Sequence, residues 1–465
     1  MRYVMLLVFI LVPQIVFATG NAVHWLPSNI RLCTNTPDAS SADNHEIAAD
    51  NDFVAVVWDD DRNNPSYEDI YVNFSTDGGV TWQGSDRRIN TNSAGTYRSI
   101  YPDIAVCGSR VYVVWLDTRF GQADVFFNYS SDYGQTWLPS DVRLNLGSGQ
   151  GEKTAADPLV YASGNNVYVT WREYRYWTGS YHRSGIYTNY SLNGGATWQP
   201  TDVQIDDDNS SVETYQIRVD GDKVYAVWWR LGTAEDIYFN RSLNNGASWM
   251  TPLKISMSGT ANREPVFDVE GSTIYAFWNN ADSSSRRIRF NFSEDGGVSW
   301  HETDIDPFSG SNPNIVLTGG MIHLLYFSPF YTYGMYYVQY LPQSGWKDPV
   351  EIAGGDIDRP YGKGLTVKGS FVFSSWGDVN ALADQNVRCN YSLNGGTGFV
   401  SNTTPIYLND NAGFETARAV DTVFTVSGKK VHVAWIDYRN GKPDIYYTMG
   451  SIPARALPFL NLLLD

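Results

Sequence analysis

STDGGVTW (75–82), SSDYGQTW (130–137), SLNGGATW (191–198), SLNNGASW (242–249), SEDGGVSW (293–300) and SLNGGTGF (392–399) are six copies of one octapeptide, and their spacing decides the architecture. Their first serines lie 55, 61, 51, 51 and 99 residues apart, the last interval being about two units long. A repeat of this length is one supersecondary unit copied around a ring or along a stack. Within the octapeptide the Asp or Asn can accept N–H bonds of its own turn, and Gly permits positive φ. The terminal Trp offers a large apolar surface to bury between neighbouring sheets. This is turn and packing chemistry, and its repetition marks it as scaffold.

Working outward, each unit carries the same signals. The second has a short apolar run after a Pro (Pro102 to Val106), a Gly turn (Gly108-Ser109), and a β-branched and aromatic run ending in Trp (Val111 to Trp115). An alternating run follows (Asp124 to Tyr129), then the octapeptide and a last short run (Asp141 to Leu144). These are four strands with turns between them and no helical periodicity. The Trp that ends the second strand recurs as Trp58, Trp115, Trp171, Trp228, Trp278, Trp376 and Trp435, with Tyr326 standing in once. That makes eight units. The sixth keeps only Ser344-Gly345-Trp346 of its octapeptide, which accounts for the long interval. The eighth stops after its third strand (Asp444 to Thr448), whereas Ser28 to Leu32 matches the fourth strands at Ser85 to Ile89 and Ser140 to Leu144. The expectation is an all-β, eight-bladed β-propeller of four-stranded antiparallel blades, with the N-terminal strand completing the last blade. A linear solenoid would need no such complement.

The bulk numbers agree. Aromatics are 15% of the 465 residues and charged residues 18%, a balance suited to a β-rich globular chain and not to disorder. A formal charge of −17 argues against nucleic acid or an anionic membrane as partner. Arg2, the apolar run Tyr3 to Val12 and Val16-Phe17-Ala18 read as an export signal cleaved after Ala18. This divides the chain into a signal peptide (1–18), a single repeat domain (19–450) and an apolar tail (451–465), and implies a secreted, periplasmic or cell-surface protein. No segment is long enough to span a bilayer, and a monomer is expected. Cys33, Cys107 and Cys389 form neither a disulfide framework nor a metal pattern and read as three buried thiols, although a Cys33–Cys389 bridge is conceivable.

Other recurrences read as scaffold. An acid and an Arg follow the strand-two Trp at Asp60/Arg62, Asp117/Arg119, Glu173/Arg175 and Asp437/Arg439, a pattern that suits charge-assisted pairing within or between blades. Six Asn-x-Ser sequons (Asn73, Asn128, Asn189, Asn240, Asn291 and Asn390) fall where strand three meets the octapeptide. No cofactor is called for. Asp206-Asp207-Asp208 could hold Ca²⁺, but a solvated acidic loop is the simpler reading.

Octapeptides of the form Ser-x-Asp-x-Gly-x-Thr-Trp resemble the Asp boxes, or BNR repeats, of the sialidase and neuraminidase superfamily. The resemblance spans about 400 residues as a repeat pattern. It implies a glycan-facing propeller with its site on the face opposite the boxes. Sialidases bind a sugar carboxylate with three arginines and use a Tyr nucleophile assisted by Glu, with an Asp acid/base. Their Phe/Tyr-Arg-Ile-Pro motif is absent here, and they have six blades against eight.

In a propeller the start of strand one and the loop from strand two to three share one face, so non-repeating polar residues there are the site candidates. They are His45 and Glu46, Arg98 and Tyr101, Asp157, Glu213 and Tyr215, Arg263 and Glu264, Arg359 and Tyr361, and Arg418. Arg263, Arg359 and Arg418 could converge on a carboxylate, with Arg98 as a further substrate contact. Glu213 and Tyr215, two apart on a strand, would share a face as a Tyr–base pair, with Asp157 as a further catalytic group. Each arginine could equally be a blade-to-blade ion pair. In the third unit an insertion carries Trp177, Tyr181, His182 and Arg183; aromatics stack on sugars, and a Tyr/His/Arg set suits β-elimination of a uronic acid. Three functions follow: an exo-glycosidase acting on a terminal acidic sugar such as sialic acid, a non-catalytic glycan- or protein-binding propeller, and a uronate lyase.

Overall fold

Each octapeptide closes a tight turn from the third to the fourth strand of an antiparallel sheet, and eight sheets follow one another along the chain. The computed structural model describes residues 22–177, 182–207, 211–232, 235–257, 261–281, 286–328, 334–353, 361–379, 385–400, 406–410 and 418–456. Blade 1 runs Ala42–Asp50, Phe53–Asp60, Asp69–Ser75 and Arg87–Arg88, each strand pairing with the next. Blades 2 to 7 repeat this order, with strand one at Ser99–Cys107, Ala155–Ser163, Val212–Asp220, Asn262–Glu270, Ser311–Thr318 and Tyr361–Lys368. Blade 8 contributes Ala419–Ser427, Lys430–Asp437 and Asp444–Ser451. Its fourth strand comes from the start of the chain, where Ile30 pairs with Tyr447 and Arg31 with Tyr446. Successive first strands pack side by side around the axis, except that between blades 3 and 4 the first strand of blade 4 packs on the third strand of blade 3. The expected eight-bladed ring is what forms.

Closure is fastened on both flanks of that strand. The Arg31 guanidinium meets Asp444 at 2.6 Å. The Asn29 and Asp410 side chains each accept the other's backbone N–H, at 2.7 and 3.0 Å, tying blade 7 to blade 8. On the far side the Thr34 amide donates to Asp86 (3.1 Å) and the Asp86 amide to Thr34 Oγ1 (3.0 Å), tying blade 8 to blade 1. Thr91 and Asp141 repeat this hook between blades 1 and 2, so the seam uses the same chemistry as an ordinary blade boundary.

The seven strand-two tryptophans are completely buried. Each removes about 150–250 Å² from water, a gross gain of roughly 4–6 kcal/mol at ~25 cal/mol per Å². The acid–arginine recurrence is structural. Trp171 Nε1 donates to Glu173 (3.1 Å), Glu173 pairs with Arg175 (2.6 Å), Arg175 reaches Asp202 at the start of the fourth strand (2.7 Å), and its guanidinium lies 3.6 Å from the Tyr187 ring centroid. The sets on Trp58, Trp115 and Trp435 are built alike. The sequon asparagines are buried, each donating its amide to a carbonyl of the preceding blade's outer strand, as Asn73 does to Leu32 (3.1 Å) and Asn240 to Ile205 (2.8 Å).

In the octapeptides, Ser75 Oγ donates to Asp77 (2.7 Å), the Gly79 amide to Ser75 Oγ (2.9 Å) and Thr81 Oγ1 to Asp77 (2.6 Å), with Gly78 and Gly79 at φ 74° and 86°. The terminal ring packs on the preceding blade: Trp82 lies edge-on to Tyr447 and Trp198 to Phe127. Trp346 of the shortened sixth unit does the same against Phe277, Phe290 and Phe308.

All three cysteines are free; Cys33 and Cys389 sit in separate cores, while Cys107 is only half-buried, correcting the expectation of three buried thiols. No helix of the described residues is long and apolar enough to cross a membrane.

Candidate functional site

On the face opposite the octapeptides, every first strand breaks register near its start, for example between Asp43 and Glu46 or between Ile100 and Asp103. In blades 2, 3, 5 and 6 the bulge holds a proline, which has no N–H to give the ladder. The bulged residue takes a left-handed backbone although it is not glycine at Asn44, Tyr101, Asp157, Glu264, Asn312 and Asp421 (φ 47–56°). Such strain costs of order 1–3 kcal/mol per residue and gathers where a surface is held for binding. The residue after the strand-two Trp shares this mouth, on the strand face opposite the clamp acid. It differs in every blade: Asp59, Leu116, Arg172, Trp229, Asn279, Phe327, Gly377 and Ile436.

Between blades 8, 1 and 2 the mouth deepens into a cavity of about 560 Å³. Six carboxyl side chains line it, Asp43, Glu46, Asp59, Asp61, Glu68 and Asp421, together with His45 and Arg98. Arg98 is committed to Glu68 at 3.0 Å. Asp59 is 2% exposed, and burial pushes its carboxyl up to about 8. Its Oδ2 accepts from Asn44 Nδ2 (2.8 Å) and from the Tyr101 amide (3.0 Å), so a proton on this group sits on Oδ1. Deeper in the channel wall, burial raises Glu46 to about 8 and Asp103 of the next blade to about 7. Burial and four neighbouring acids raise Asp43 as well. His45 is held neutral by burial, its pKa lowered to about 4.

The other sequence candidates fall into two groups. In blades 3 and 4, Arg172 gathers Asp157 (2.9 Å) and Glu213 (3.6 Å) and lies 5.5 Å from the Tyr174 ring centroid. Tyr215 does not join Glu213. A register shift intervenes between Val212 and Thr214, and the Tyr215 hydroxyl is buried against the backbone carbonyls of Asp157 and Thr170. Burial drives its pKa up, the opposite of what a nucleophile needs.

The rim arginines form a blade-to-blade clamp. Arg98 takes Glu68, Arg263 takes Glu235 (2.9 Å), and Arg418 donates to Gln385 (2.8 Å), each joining the start of strand one to the start of the preceding blade's third strand. Arg263 and Arg418 stand three blades apart and do not converge; Arg359 lies outside the described residues, as does Tyr181. The blade 3 insertion is a hairpin extension in which Tyr176 pairs with Arg183 and Trp177 with His182; the side chains of Trp177 and His182 lie outside the described residues. In the acidic loop, Asp206 accepts the Ile186 amide (3.0 Å) and Asp207 pairs with Arg230, while Asp208 lies outside the described residues. No group of three or more His, Cys, Asp or Glu side chains among the described residues could hold a metal ion.

No protein-family model matches the chain. No curated protein matches it significantly in sequence. Among solved structures it is similar to a Dyadobacter fermentans protein of unknown function (12% identity, TM-score 0.44, covering 93% of this chain and all of that one). It is also similar to an ulvan lyase of polysaccharide lyase family PL25 (11%, 0.45, covering 74% and 90%). A Trypanosoma rangeli sialidase is similar at 9% identity and TM-score 0.41 over 95% of this chain, which spans 61% of that one.

Proposed function

We propose that the protein receives the end of a carbohydrate chain in the mouth cavity and hydrolyses its terminal glycosidic bond, with Asp59 as proton donor. The Asp59 carboxyl carries this reading: it is buried, held protonated near neutral pH, fixed through Oδ2, and set in the wall of a cavity of ligand size. Glycoside hydrolysis takes one protonated carboxyl at the leaving oxygen and a second carboxylate roughly 5–9.5 Å away. Asp61 also lines the cavity and is fixed by the Ser41 amide at Oδ1 (2.7 Å). Two residues of extended chain separate it from Asp59, about 7 Å along the strand direction. It is the second carboxylate of this reading. A wall with six carboxyl groups, whose one arginine is already paired, favours a terminal sugar without negative charge over the sialic acid implied by the resemblance. The export signal read at residues 1–18 would present this site outside the cytoplasm.

The test is a panel of aryl glycosides carrying neutral, amino and acidic sugars. Release of the aryl group from at least one non-acidic member is expected. Asp59→Asn should lower that rate at least roughly 100-fold with no loss of melting temperature. Rate should fall as pH rises through about 8, where Asp59 loses its proton. Retention on a glycan array without hydrolysis would leave a binding propeller; silence in both assays would end the reading.

A further inference from the structure

The charge of the mouth cavity points to the class of ligand, an inference that rests on the carbohydrate reading above and sharpens it. Asp43 and Asp421 come from neighbouring blades, and their side chains make no hydrogen bond or ion pair among the described residues. The largest charge effects on Asp43 come from Asp421, Asp61, Glu68 and Asp60, all of its own sign. Asp421 feels the Arg418 guanidinium, which donates its Nε to Gln385, so among the described residues the six carboxyl side chains in this wall face only Arg98, already paired with Glu68, and Arg418. A second and independent feature lies in the same wall. His45 is 4% exposed, one ring nitrogen engages the Ala434 carbonyl, and Nε2 has no partner. That bond fixes the tautomer with the proton on the other nitrogen, leaving Nε2 as a lone-pair acceptor. A neutral acceptor beside carboxyl groups that outnumber the neighbouring cations calls for a group that donates several hydrogen bonds and carries positive charge.

We propose that the cavity between blades 8, 1 and 2 binds a primary ammonium group, carried in this setting by an amino sugar at the end of a glycan. Asp43 and Asp421 supply the charge and His45 Nε2 accepts an N–H or O–H of the same residue. The alternative source of such a group is a polyamine or a lysine side chain.

Isothermal titration of the full chain with a glucosamine tetramer, its N-acetylated counterpart, a glucose tetramer and spermidine separates these cases. The free-amine tetramer should bind at least about tenfold more tightly than the acetylated one, and raising salt from 0.05 to 0.5 M should weaken it. Asp43→Asn and, independently, the more exposed Asp421→Asn should each narrow the gap between the free-amine and acetylated tetramers; melting curves check that both variants fold. Equal affinity for the free-amine and acetylated tetramers overturns the ammonium inference and leaves the carbohydrate reading intact. Spermidine binding without any oligosaccharide binding supports the ammonium site and overturns the carbohydrate reading. Binding of none of the four probes overturns both.

Discussion

Asp59 and Asp60 are consecutive residues of one strand, yet they belong to different parts of the molecule. Asp60 faces the neighbouring sheet, is fully buried, accepts from Trp58 and pairs with Arg62 at 2.7 Å. Its counterparts at Asp117, Glu173 and Asp437 repeat that pattern around the ring. Asp59 faces the channel mouth, has no cation, and has no acidic counterpart in any other blade. Repetition marks the flank where every blade solves the same packing problem. Departure from repetition marks the face that is free to become a site.

The contrast can be attacked from both sides. On the flank, Trp115→Ala should cost about 3–5 kcal/mol in urea unfolding, because a fully buried indole leaves a cavity between two sheets. Asp60→Ala should cost roughly 2–3 kcal/mol, below the usual figure for a broken buried pair because Arg62 keeps Asp86 at 2.8 Å.

At the mouth, Asp59→Asn should cost little at pH 5 and stabilise the fold at pH 8. The sign follows from linkage: a carboxyl raised from its ordinary 3.8 to about 8 is protonated in the fold and ionised in the unfolded chain between those values. Stability from this group is therefore full below pH 4 and lost as pH climbs towards 8. Glu46 and Asp103, raised to about 8 and 7, slope the same way, so the variant should flatten the wild-type curve only in part. Melting temperatures between pH 4 and 8 would show it, and an unchanged slope would refute the Asp59 assignment. The smallest effect belongs to the rim, where Arg98→Ala should cost less than about 1 kcal/mol, its half-exposed pair with Glu68 being screened by water.

The ring itself was legible because strand order, octapeptide and Trp recur, and because Ser28 to Leu32 copies an outer strand. Which residues gather at the end opposite the octapeptides was legible for the same reason, and His45, Glu46 and Arg98 line a cavity there. What the spacing did not disclose was the bulge. It shifts register within strand one, so Tyr215 turns its hydroxyl to backbone carbonyls instead of sharing a face with Glu213. The rim arginines looked available because their partners, Glu68, Glu235 and Gln385, lie about 30 residues back at the start of another blade's third strand. Asp59 and Arg172 were passed over although a signal existed. Across the eight units the residue after the strand-two aromatic changes every time, while the one after it is acidic in five of them.

The two partners at the seam, Arg31 and Asp444, lie 413 positions apart. During synthesis the first of these emerges from the ribosome long before the second exists, so the earliest ribbon must wait, unpaired, until the eighth repeat is made. Seven sheets can settle locally in the meantime, each beside its predecessor, but none of them can be locked into a circle. Emergence of the Asp444–Ser451 strand is therefore the event that converts an open fan of sheets into a closed wheel.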